Sequence, residues 1–353
     1  MKLISGFFLG RKVVRWGIVG CGNVTEVKSG PGFQRAERSA LVAVMRRNPA
    51  LAEDYARRHG VPRWYSDGDA LICDPEVDAV YIATPPETHL HYALKAAAAG
   101  KPAYVEKPMA RSTVECDRMI DAFARAGLPL FVAYYRRRMP RFVAVEDLIK
   151  AGTLGRITGV DYHQAESCHR QPQDWYVDAT AAGGGQFLNM GSHVLDLLDH
   201  FFGPLVDVAG IAVNRAGSYL TEDTVALSFR TSGGVPGTVV CNYASAVRDD
   251  RLRIAGTEGE LTFSMWDSQP LRLETATGVQ LLDRPYPPHA QQPLIQSIVD
   301  DLLGVGLCPS TGESARRTSR VMDQVLTAYY GGRDDDFWTR PQTWPGKAPE
   351  SLG

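Results

Sequence analysis

The chain has 353 residues, enough for about two domains of ordinary size, and 44% of them are hydrophobic, as in soluble globular proteins. Its 38 basic and 40 acidic side chains leave a formal charge of −2, which gives no electrostatic reason to expect nucleic acid or a membrane surface as partner. No apolar segment approaches the roughly 20 residues that span a bilayer, so a small molecule is the expected partner.

The six cysteines are scattered, without a Cys-x-x-Cys pair or a His-Cys cluster at metal-binding spacing. This pattern predicts buried thiols and no metal site. Because such thiols persist in a reducing compartment, we expect a cytoplasmic protein. The brief apolar stretch at residues 1–10 is interpreted as an extra edge segment or a packing arm.

The first informative pattern is a buried strand followed by a glycine-containing turn. Residues 13–19 are apolar on both faces, as in a central parallel strand covered by helices. The segment 20–25, GCGNVT, has glycines at the first two positions of a dinucleotide-binding fingerprint, where backbone approaches a pyrophosphate. Thr25 occupies the third position, so a simple strand-to-helix turn is the alternative. The Gly-Pro-Gly at 30–32 predicts that the next helix ends within about two turns.

The second predicted strand, residues 40–45, ends at two arginines, Arg46 and Arg47. At this place in a nucleotide-binding sheet an acidic residue bonds the 2′-hydroxyl of the adenosine ribose, whereas an arginine accommodates a 2′-phosphate. Because arginines stand where the acidic residue would be, the sequence favours NADP over NAD. The alternative is that both are solvated residues at the entry to the next helix, predicted from Pro49 to His59.

A third buried strand at residues 78–83 runs into a loop at its carboxyl end. Pro85 and Pro86 prevent continuation of the sheet and fix this loop. His89 lies in the first turn of the helix that follows. The sequence leaves two roles open for it, donation of a hydrogen bond to a cofactor or capping of the loop.

The segment 103–109, AYVEKPM, is a short apolar strand that delivers a Glu-Lys-Pro step at its carboxyl end. Ligands of open parallel sheets bind beyond the carboxyl ends of the strands, so Lys107 is the first candidate for chemistry. A capped helix to Ala126 and a strand at 130–135 follow. Regular alternation of strands and helices over this region predicts a doubly wound Rossmann domain.

The pattern changes after about residue 136. Residues 206–282 alternate apolar and polar side chains, which predicts an antiparallel sheet with one buried face. The exposed face of such a sheet is commonly covered by a second copy, so we expect a homodimer or homotetramer. The expected organisation is α/β plus α+β: a Rossmann domain at 11–136, an open-faced, mostly antiparallel sheet domain for substrate binding and oligomerisation at 137–330, and a C-terminal tail at 331–353.

A triple glycine at 183–185 opens the other informative segment. The glycines allow the backbone to approach a ligand. Asn189 and His193 follow four residues apart, which places them on one face of a regular helix. Asp196 either orients the imidazole of His193 or contacts water. A lone helical histidine is more often structural than catalytic, so spacing alone does not assign its role.

Three motifs, GxGN at 20–23, EKP at 106–108 and GGGxxxNxGxHxxD at 183–196, together resemble the glucose-fructose oxidoreductase / inositol dehydrogenase (Gfo/Idh/MocA) family over about residues 13–330. The resemblance implies an enzyme that moves a hydride between NADP or NAD and a hydroxyl or keto carbon of a sugar, cyclitol or related diol. It also implies that Lys107 and His193 lie beside the nicotinamide and the reacting hydroxyl, that the Lys107–Pro108 bond is cis, and that Trp175 lines the substrate pocket.

Asn189 departs from the family pattern, which usually has aspartate at this position. Asparagine can bond a hydroxyl but cannot take its proton, and without the carboxylate the amine of Lys107 loses its proton more readily. Two other functions stay open, the first of them because of Asn189. One is a catalytically inactive NADP-binding sensor or regulatory protein, and the other is an NAD-assisted glycosidase that cleaves by elimination with no net oxidation.

The residues expected to form the site are as follows. The expected catalytic residues are Lys107, His193 and Asn189. The expected cofactor contacts are Gly20, Gly22, Asn23, Val24, Arg46, Arg47, Thr84, Pro85, Pro86, His89, Glu106 and Lys107. The expected contacts to a polyol or keto-sugar substrate are Tyr135, His163, Trp175, Asn189 and His193, with Tyr162 and the polar and aromatic loop from Glu166 to Trp175 nearby.

Overall fold

The computed structural model describes residues 6–166 and 171–347. They form two compact units, each assembled from separate stretches of the chain. The first unit contains the described residues up to Ala110, then Val114–Met139 and Pro287–Arg316, and the second contains Arg111–Thr113, the described part of Pro140–Tyr286, and the described residues from Arg317 onward. None of the helices in the described ranges is long and apolar enough to cross a membrane.

The first unit is built on a six-stranded sheet. Its strands are Val14–Val19 (β1), Ser39–Met45 (β2), Arg63–Tyr65 (β3), Ala79–Ile82 (β4), Ala103–Val105 (β5) and Leu130–Val132 (β6). The order is β3-β2-β1-β4-β5-β6, and every neighbouring pair is parallel. Strands β4, β5 and β6 are buried throughout, as helices on both faces of a parallel sheet require. This is the doubly wound order, which confirms the predicted Rossmann domain.

The helices of this sheet are Asn23–Val27 (α1), Gly30–Arg35 (α2), Pro49–His59 (α3), Gly68–Cys73 (α4), His89–Ala98 (α5) and Thr113–Ala126 (α6). Helix α1 ends before the Gly-Pro-Gly step, as predicted, and α2 begins there. Helix α3 shows the expected end signals. The Asn48 side chain accepts a hydrogen bond from the backbone of Leu51, and Gly60 ends the helix in the left-handed conformation.

The second unit is built on an eight-stranded sheet. Its helices and strands are Pro140–Lys150 (α7), Ile157–Ala165 (β7), Ala179–Ala182 (α8), Ser192–Phe202 (α9), Leu205–Val213 (β8), Thr224–Thr231 (β9), Pro236–Asn242 (β10), Asp249–Gly256 (β11), Gly259–Phe263 (β12), Leu271–Thr275 (β13) and Gly278–Leu282 (β14). The strand order is β14-β13-β12-β11-β7-β10-β9-β8. The mostly antiparallel prediction is confirmed, with one exception: β7 and β10 run parallel. Parallel neighbours need a long connection, and here helices α8 and α9 and strands β8 and β9 lie between them in the chain.

Two helices follow the second sheet in the chain, Gln292–Leu302 (α10) and Gly312–Tyr330 (α11). Helix α10 belongs to the first unit, where the backbone amides of Gly6 and Phe8 donate to carbonyls at its end. Residues 6–8 thus act as a packing arm, and residues 1–5 lie outside the described ranges. In the tail, Phe337 and Trp344 are buried, so its described part is a packed element of the second unit. Short 3₁₀ turns lie at Pro86–Thr88, Tyr135–Arg138, Trp175–Val177, Phe337–Thr339 and Pro341–Thr343, and a π-helical turn lies at Phe187–Gly191.

Candidate active site

The turn after β1 has the geometry that a pyrophosphate-binding turn needs. Gly20 adopts a φ of +95°, and a Cβ there would approach Thr84 Cγ2 to 2.8 Å and the backbone of Ala83 to 3.0 Å. A Cβ on Gly22 would meet only one atom, 3.9 Å away, so the space above this residue is open. The first glycine therefore permits the tight turn, and the second leaves room for a ligand to approach the backbone.

Thr25 is compatible with this turn because it bonds back to it. Its hydroxyl donates to the carbonyl of Gly22 at 2.8 Å, and its own carbonyl accepts a hydrogen bond from the hydroxyl of Tyr55 at 2.8 Å. A close approach also occurs at Gly30, the first residue of α2. A Cβ on Gly30 would lie 2.2 Å from the Thr25 carbonyl oxygen. The absence of Cβ at Gly30 thus lets α2 start directly against Thr25 and Tyr55.

The two arginines after β2 lie next to the fingerprint turn. The carbonyl of Met45 accepts hydrogen bonds from the backbone amides of Gly20 and Cys21, both at 2.9 Å. Arg46 is half-buried and Arg47 is exposed. Within the described residues neither guanidinium forms an ion pair, whereas Arg11, Arg15 and Arg58 of the same unit do. Both are therefore available to an external anion.

His89 braces the loop after β4. Its Nε2 atom lies 2.8 Å from the carbonyl of Thr84, and its Nδ1 atom lies 3.1 Å from the carbonyl of Pro108 and 3.2 Å from that of Met109. The ring is completely buried, and this burial lowers its pKa. Of the two roles left open by the sequence, the contacts favour the structural one, because both nitrogens face backbone oxygens.

The carboxylate of Glu106 is held by a buried network. Its Oε1 atom accepts hydrogen bonds from the hydroxyl of Tyr81 and the amide of Gln291, both at 2.6 Å, and its Oε2 atom accepts from the backbone amide of Lys107 at 3.1 Å. The hydroxyl of Tyr104 donates to the other end of the Gln291 amide at 2.7 Å. Gln291 comes from a distant stretch of the chain, and no local sequence signal identified it.

Lys107 lies directly beyond β5 and is partly exposed, and the Lys107–Pro108 bond is cis, as the family resemblance implied. Removal of the amine from bulk water lowers the pKa of Lys107 to about 8. The carboxylate of Glu106 opposes this shift, while the positive charges of Lys28 and Arg136 reinforce it. The amine therefore changes protonation state close to neutral pH, as a general acid–base group must.

The first unit gathers most of the predicted residues at one edge of its sheet. Strand β1 is followed by Gly20, Gly22, Asn23 and Val24, and β2 is followed by Arg46 and Arg47. Strand β4 is followed by Thr84, Pro85, Pro86 and His89. Strand β5 is followed by Glu106 and Lys107, and β6 by Tyr135. All five strands are parallel, so these positions share the carboxyl edge, where nucleotides bind in doubly wound sheets. An open fingerprint turn, together with two arginines that form no ion pair within the described residues, is the arrangement expected of a dinucleotide site.

In the second unit, Asn189 and His193 do not lie on one regular helix. Residues 187–191 form a π-helical turn, and α9 starts only at Ser192, so the expected four-residue alignment is shifted. Gly191 makes this turn possible, because a Cβ there would approach the ring of Phe187 to 2.3 Å. The amide of Asn189 donates to the side-chain oxygen of Gln186 at 3.1 Å. Such π-turns occur frequently at functional sites.

The triple glycine serves packing against the protein itself. A Cβ on Gly183 would lie 2.6 Å from the backbone of Arg111, and one on Gly185 would lie 2.3 Å from the carbonyl oxygen of Glu222. A Cβ on Gly184 would lie 2.7 Å from Leu188. The interpretation that these glycines make room for a ligand is therefore corrected: they make room for neighbouring backbone and side chains.

His193 is buried beside a polar aromatic cluster. Its ring stands edge-on to Trp266 with 5.7 Å between centroids. The indole of Trp266 donates to the hydroxyl of Tyr162 at 3.1 Å, which donates in turn to Asp250 at 3.0 Å. Asp250 also accepts from the backbone amide of Trp266 at 2.8 Å. Trp266 and Asp250 carried no motif in the sequence, because β11 and the segment after β12 meet here only in the folded sheet.

His163 lies on the other face of this sheet. It is the neighbour of Tyr162 on β7, and successive side chains of a strand point to opposite faces. Its Nδ1 atom lies 2.9 Å from a carboxylate oxygen of Asp249, and the side chain is 42% exposed. The structure therefore does not bring His163 together with His193.

Trp175, another expected substrate contact, lies in a 3₁₀ turn. Its ring packs on that of Tyr176 at 4.0 Å between centroids. The loop from Glu166 to Trp175, expected to border the substrate, lies partly outside the described residues, because 167–170 are not described.

Comparison with known proteins places both sheets in one family. Residues 14–134 match the family described as "Oxidoreductase family, NAD-binding Rossmann fold", and residues 142–262 match the "GFO/IDH/MocA C-terminal domain". Oxidoreductase P35 of Formosa agariphila is 32% identical over 88% of this chain and 97% of its own length. Trans-1,2-dihydrobenzene-1,2-diol dehydrogenase of Sus scrofa is 30% identical over 70% of this chain and 72% of its own length.

Solved structures share the fold over almost the whole chain. Levoglucosan dehydrogenase in complex with NADH and levoglucosan matches with a TM-score of 0.79 and 22% identity, over 89% of this chain and 96% of that one. Aldose-aldose oxidoreductase from Caulobacter crescentus, complexed with glycerol, matches with a TM-score of 0.80 and 24% identity, over 91% of this chain and 98% of that one. Sequence and fold agree, and the chain belongs to the Gfo/Idh/MocA family of NAD-binding oxidoreductases.

Proposed function

We propose that the protein transfers a hydride between the nicotinamide of NADP and the hydroxyl- or keto-bearing carbon of a sugar, cyclitol or related diol. The observation that carries this proposal is Lys107, an amine with a pKa of about 8 at the carboxyl edge of a Rossmann sheet. Two relatives support the substrate class, because one is named for a dihydrobenzenediol and another is solved with levoglucosan.

In this proposal Lys107 moves the hydroxyl proton. Its neutral amine accepts the proton when the alcohol is oxidised, and its ammonium form returns the proton when the ketone is reduced. The negative charge of Glu106 favours the ammonium form of this amine. Asn189 orients the substrate through its side-chain amide. His193 is the second candidate for proton transfer. We leave His163 out, because it faces away from the cluster that includes Tyr162.

The fingerprint turn and the arginines hold the cofactor in the same proposal. Gly20, Gly22, Asn23 and Val24 bind the pyrophosphate through backbone amides. Arg46 and Arg47 bind the 2′-phosphate, and Thr84, Pro85, Pro86 and Glu106 border the remainder of the dinucleotide. His89 has an indirect role, because it stabilises the loop after β4 that contains Thr84, Pro85 and Pro86. Tyr135 and Trp175 are the proposed aromatic contacts to substrate.

We expect Arg46→Ala to weaken NADP binding by about 10- to 150-fold and NAD binding hardly at all. A charge-assisted hydrogen bond to phosphate contributes about 1.5–3 kcal/mol, and NAD lacks the 2′-phosphate. Fluorescence titration with both reduced cofactors measures the two affinities. Arg38→Ala is the control, because Arg38 precedes the same strand at its opposite end. An unchanged ratio of the two affinities would show that Arg46 is only a solvated residue.

A screen of polyols and keto-sugars with NADP(H) and NAD(H) tests the proposed function. A steady change in the absorbance of the reduced nicotinamide with at least one sugar, cyclitol or diol is the expected result. Cofactor binding without turnover throughout the panel would support the sensor alternative. Cleavage of a glycoside with no net change in NADH would support the NAD-assisted glycosidase.

We also propose that a second copy of the chain covers the exposed face of the eight-stranded sheet. This face presents both signs of charge, for example Arg253 of β11 between Asp161 and Glu260, and an exposed Ile211 on β8. Such a surface is suited to a symmetric self-contact. A monomer mass in light scattering at micromolar concentration would refute this part of the proposal.

A further inference from the structure

We propose that Glu222 is a positioning residue for the substrate side of this enzyme. Glu222 lies just before β9, and through Gly185 it fixes the start of the π-helical turn that carries Asn189 and leads to His193. The inference rests on the proposed function, because it assigns Glu222 an effect on the reaction through those two residues.

The carboxylate of Glu222 accepts hydrogen bonds from two groups that lie far apart in the sequence, the Gly185 amide and the Tyr330 hydroxyl. Both oxygens of its carboxylate accept the backbone amide of Gly185, each at 3.0 Å, and Oε2 also accepts the hydroxyl of Tyr330 at 2.5 Å. The side chain is completely buried. Gly185 is two residues before the π-turn, so a change in this bond moves the turn directly.

The other end of the triple glycine is held by Arg333. Its guanidinium donates to the carbonyl of Gly183 at 2.9 Å and to Asp323 at 2.5 Å, and it lies 5.1 Å from the centre of the Tyr330 ring. The segment 183–185 is therefore bonded at both ends to side chains from elsewhere in the second unit. The space beside the α-carbons of all three glycines is filled by neighbouring atoms, so the segment has little room to shift.

Thr221, the residue before Glu222, connects this region to the 3₁₀ turn that contains Trp175, another expected substrate contact. The hydroxyl of Thr221 donates to the carbonyl of Val177 at 3.1 Å, and Val177 ends the 3₁₀ turn that begins at Trp175. The hydroxyl of Tyr329 holds the neighbouring Leu220 carbonyl at 2.7 Å. One short stretch, 220–222, thus fixes both the Trp175 turn and the Asn189 turn.

The charge of this carboxylate makes its geometry sensitive to substitution. Burial raises the pKa of Glu222, while the Tyr330 hydroxyl, the backbone amides and the charge of Arg333 lower it. A buried carboxylate is tolerated only when such donors are in place. Glu222→Gln keeps the shape, but one of the two oxygens that face the Gly185 amide becomes an NH2 donor, which weakens the bond to Gly185 while the remaining oxygen can still accept the Tyr330 hydroxyl.

The test compares Glu222→Gln with Asp301→Asn. Asp301 is also a buried carboxylate with a raised pKa that accepts a backbone amide, but it lies at the end of α10 in the first unit. We expect Glu222→Gln to lower kcat/KM for the sugar or diol by about 10- to 100-fold, because small displacements of positioning groups have effects of that size. The dissociation constant of NADPH should stay unchanged. Asp301→Asn should lower Tm by as much as Glu222→Gln does and leave kcat/KM at the wild-type value.

A second readout does not depend on turnover. Amide hydrogen exchange in peptides covering residues 186–193 should become faster in Glu222→Gln and not in Asp301→Asn. Tyr330→Phe removes one donor while keeping the ring, and it should change both readouts in the same direction, which serves if Glu222→Gln fails to fold. Unchanged exchange at 186–193, or equal loss of kcat/KM in both carboxylate variants, would overturn the positioning role. Absence of turnover in the wild type would instead refute the proposed function.

Discussion

Replacing Lys107 by alanine is expected to lower kcat by about 10²- to 10⁴-fold while leaving NADPH binding nearly intact. General acid–base catalysis contributes a factor of this size. In our proposal the pyrophosphate and ribose contacts come from other residues of the same sheet edge, so affinity for the cofactor does not depend on the amine. Steady-state kinetics gives kcat, and fluorescence titration gives the dissociation constant of NADPH.

Lys101→Ala is the matched control for this variant. Lys101 precedes β5, at the strand end opposite to Lys107, and its pKa is likewise lowered by burial. Its amine donates to the carbonyl of Asp74 at 2.6 Å, so its loss affects stability and not the carboxyl edge. Equal losses of turnover and of cofactor affinity in Lys107→Ala would mean that this lysine is chiefly a phosphate or fold contact.

We expect His193→Phe to lower kcat by a comparable factor of about 10²–10⁴. Phenylalanine retains an aromatic ring against Trp266 and removes both nitrogens, so the packing is preserved while the capacity to bind and move a proton is lost. The dissociation constant of NADPH should not change, because the proposed cofactor residues all belong to the first unit. Initial rates across substrate concentrations separate kcat from KM.

His200→Phe is the control on the same helix. His200 follows His193 by two turns, and its Nε2 atom lies 3.5 Å from Glu146, on the part of α9 that meets α7. This substitution should leave turnover at the wild-type value. Full activity of His193→Phe would instead assign its imidazole a structural role, as is usual for a lone histidine on a helix.

The sequence was sufficient for the two sheets because their signals were local and regular, but it did not show that residues 287–316 return to the first unit. Strand–helix alternation predicted the doubly wound sheet, and Gly60 and Pro49 marked the ends of α3 correctly. The motif EKP fixed Lys107 at the end of β5, since the residue after a short buried strand has little freedom of placement. The alternating pattern after residue 206 likewise predicted the antiparallel sheet and its exposed face.

The parts that sequence could not provide depend on contacts between distant residues. Gln291 reaches Glu106 from a stretch 185 positions away, and nothing in its own neighbourhood indicates that contact. Glu222 holds Gly185 in the same manner. The π-turn was missed because its cause, the fit of the Phe187 ring on Gly191, is a matter of packing that residue spacing does not encode. His163 was included as a contact because composition cannot tell one face of a strand from the other.

The pH dependence of kcat/KM for alcohol oxidation tests the central claim, that Lys107 is the proton acceptor, most directly. Only the neutral amine accepts a proton, and the pKa of Lys107 is lowered to about 8, so kcat/KM should rise with pH and level off above about 8. In ketone reduction the ammonium form is required, and kcat/KM should fall over the same range. Glu106→Gln removes the neighbouring charge that favours the ammonium form, so the oxidation limb should move to lower pH. A profile with the same limb in Lys107→Ala as in the wild type would contradict the account.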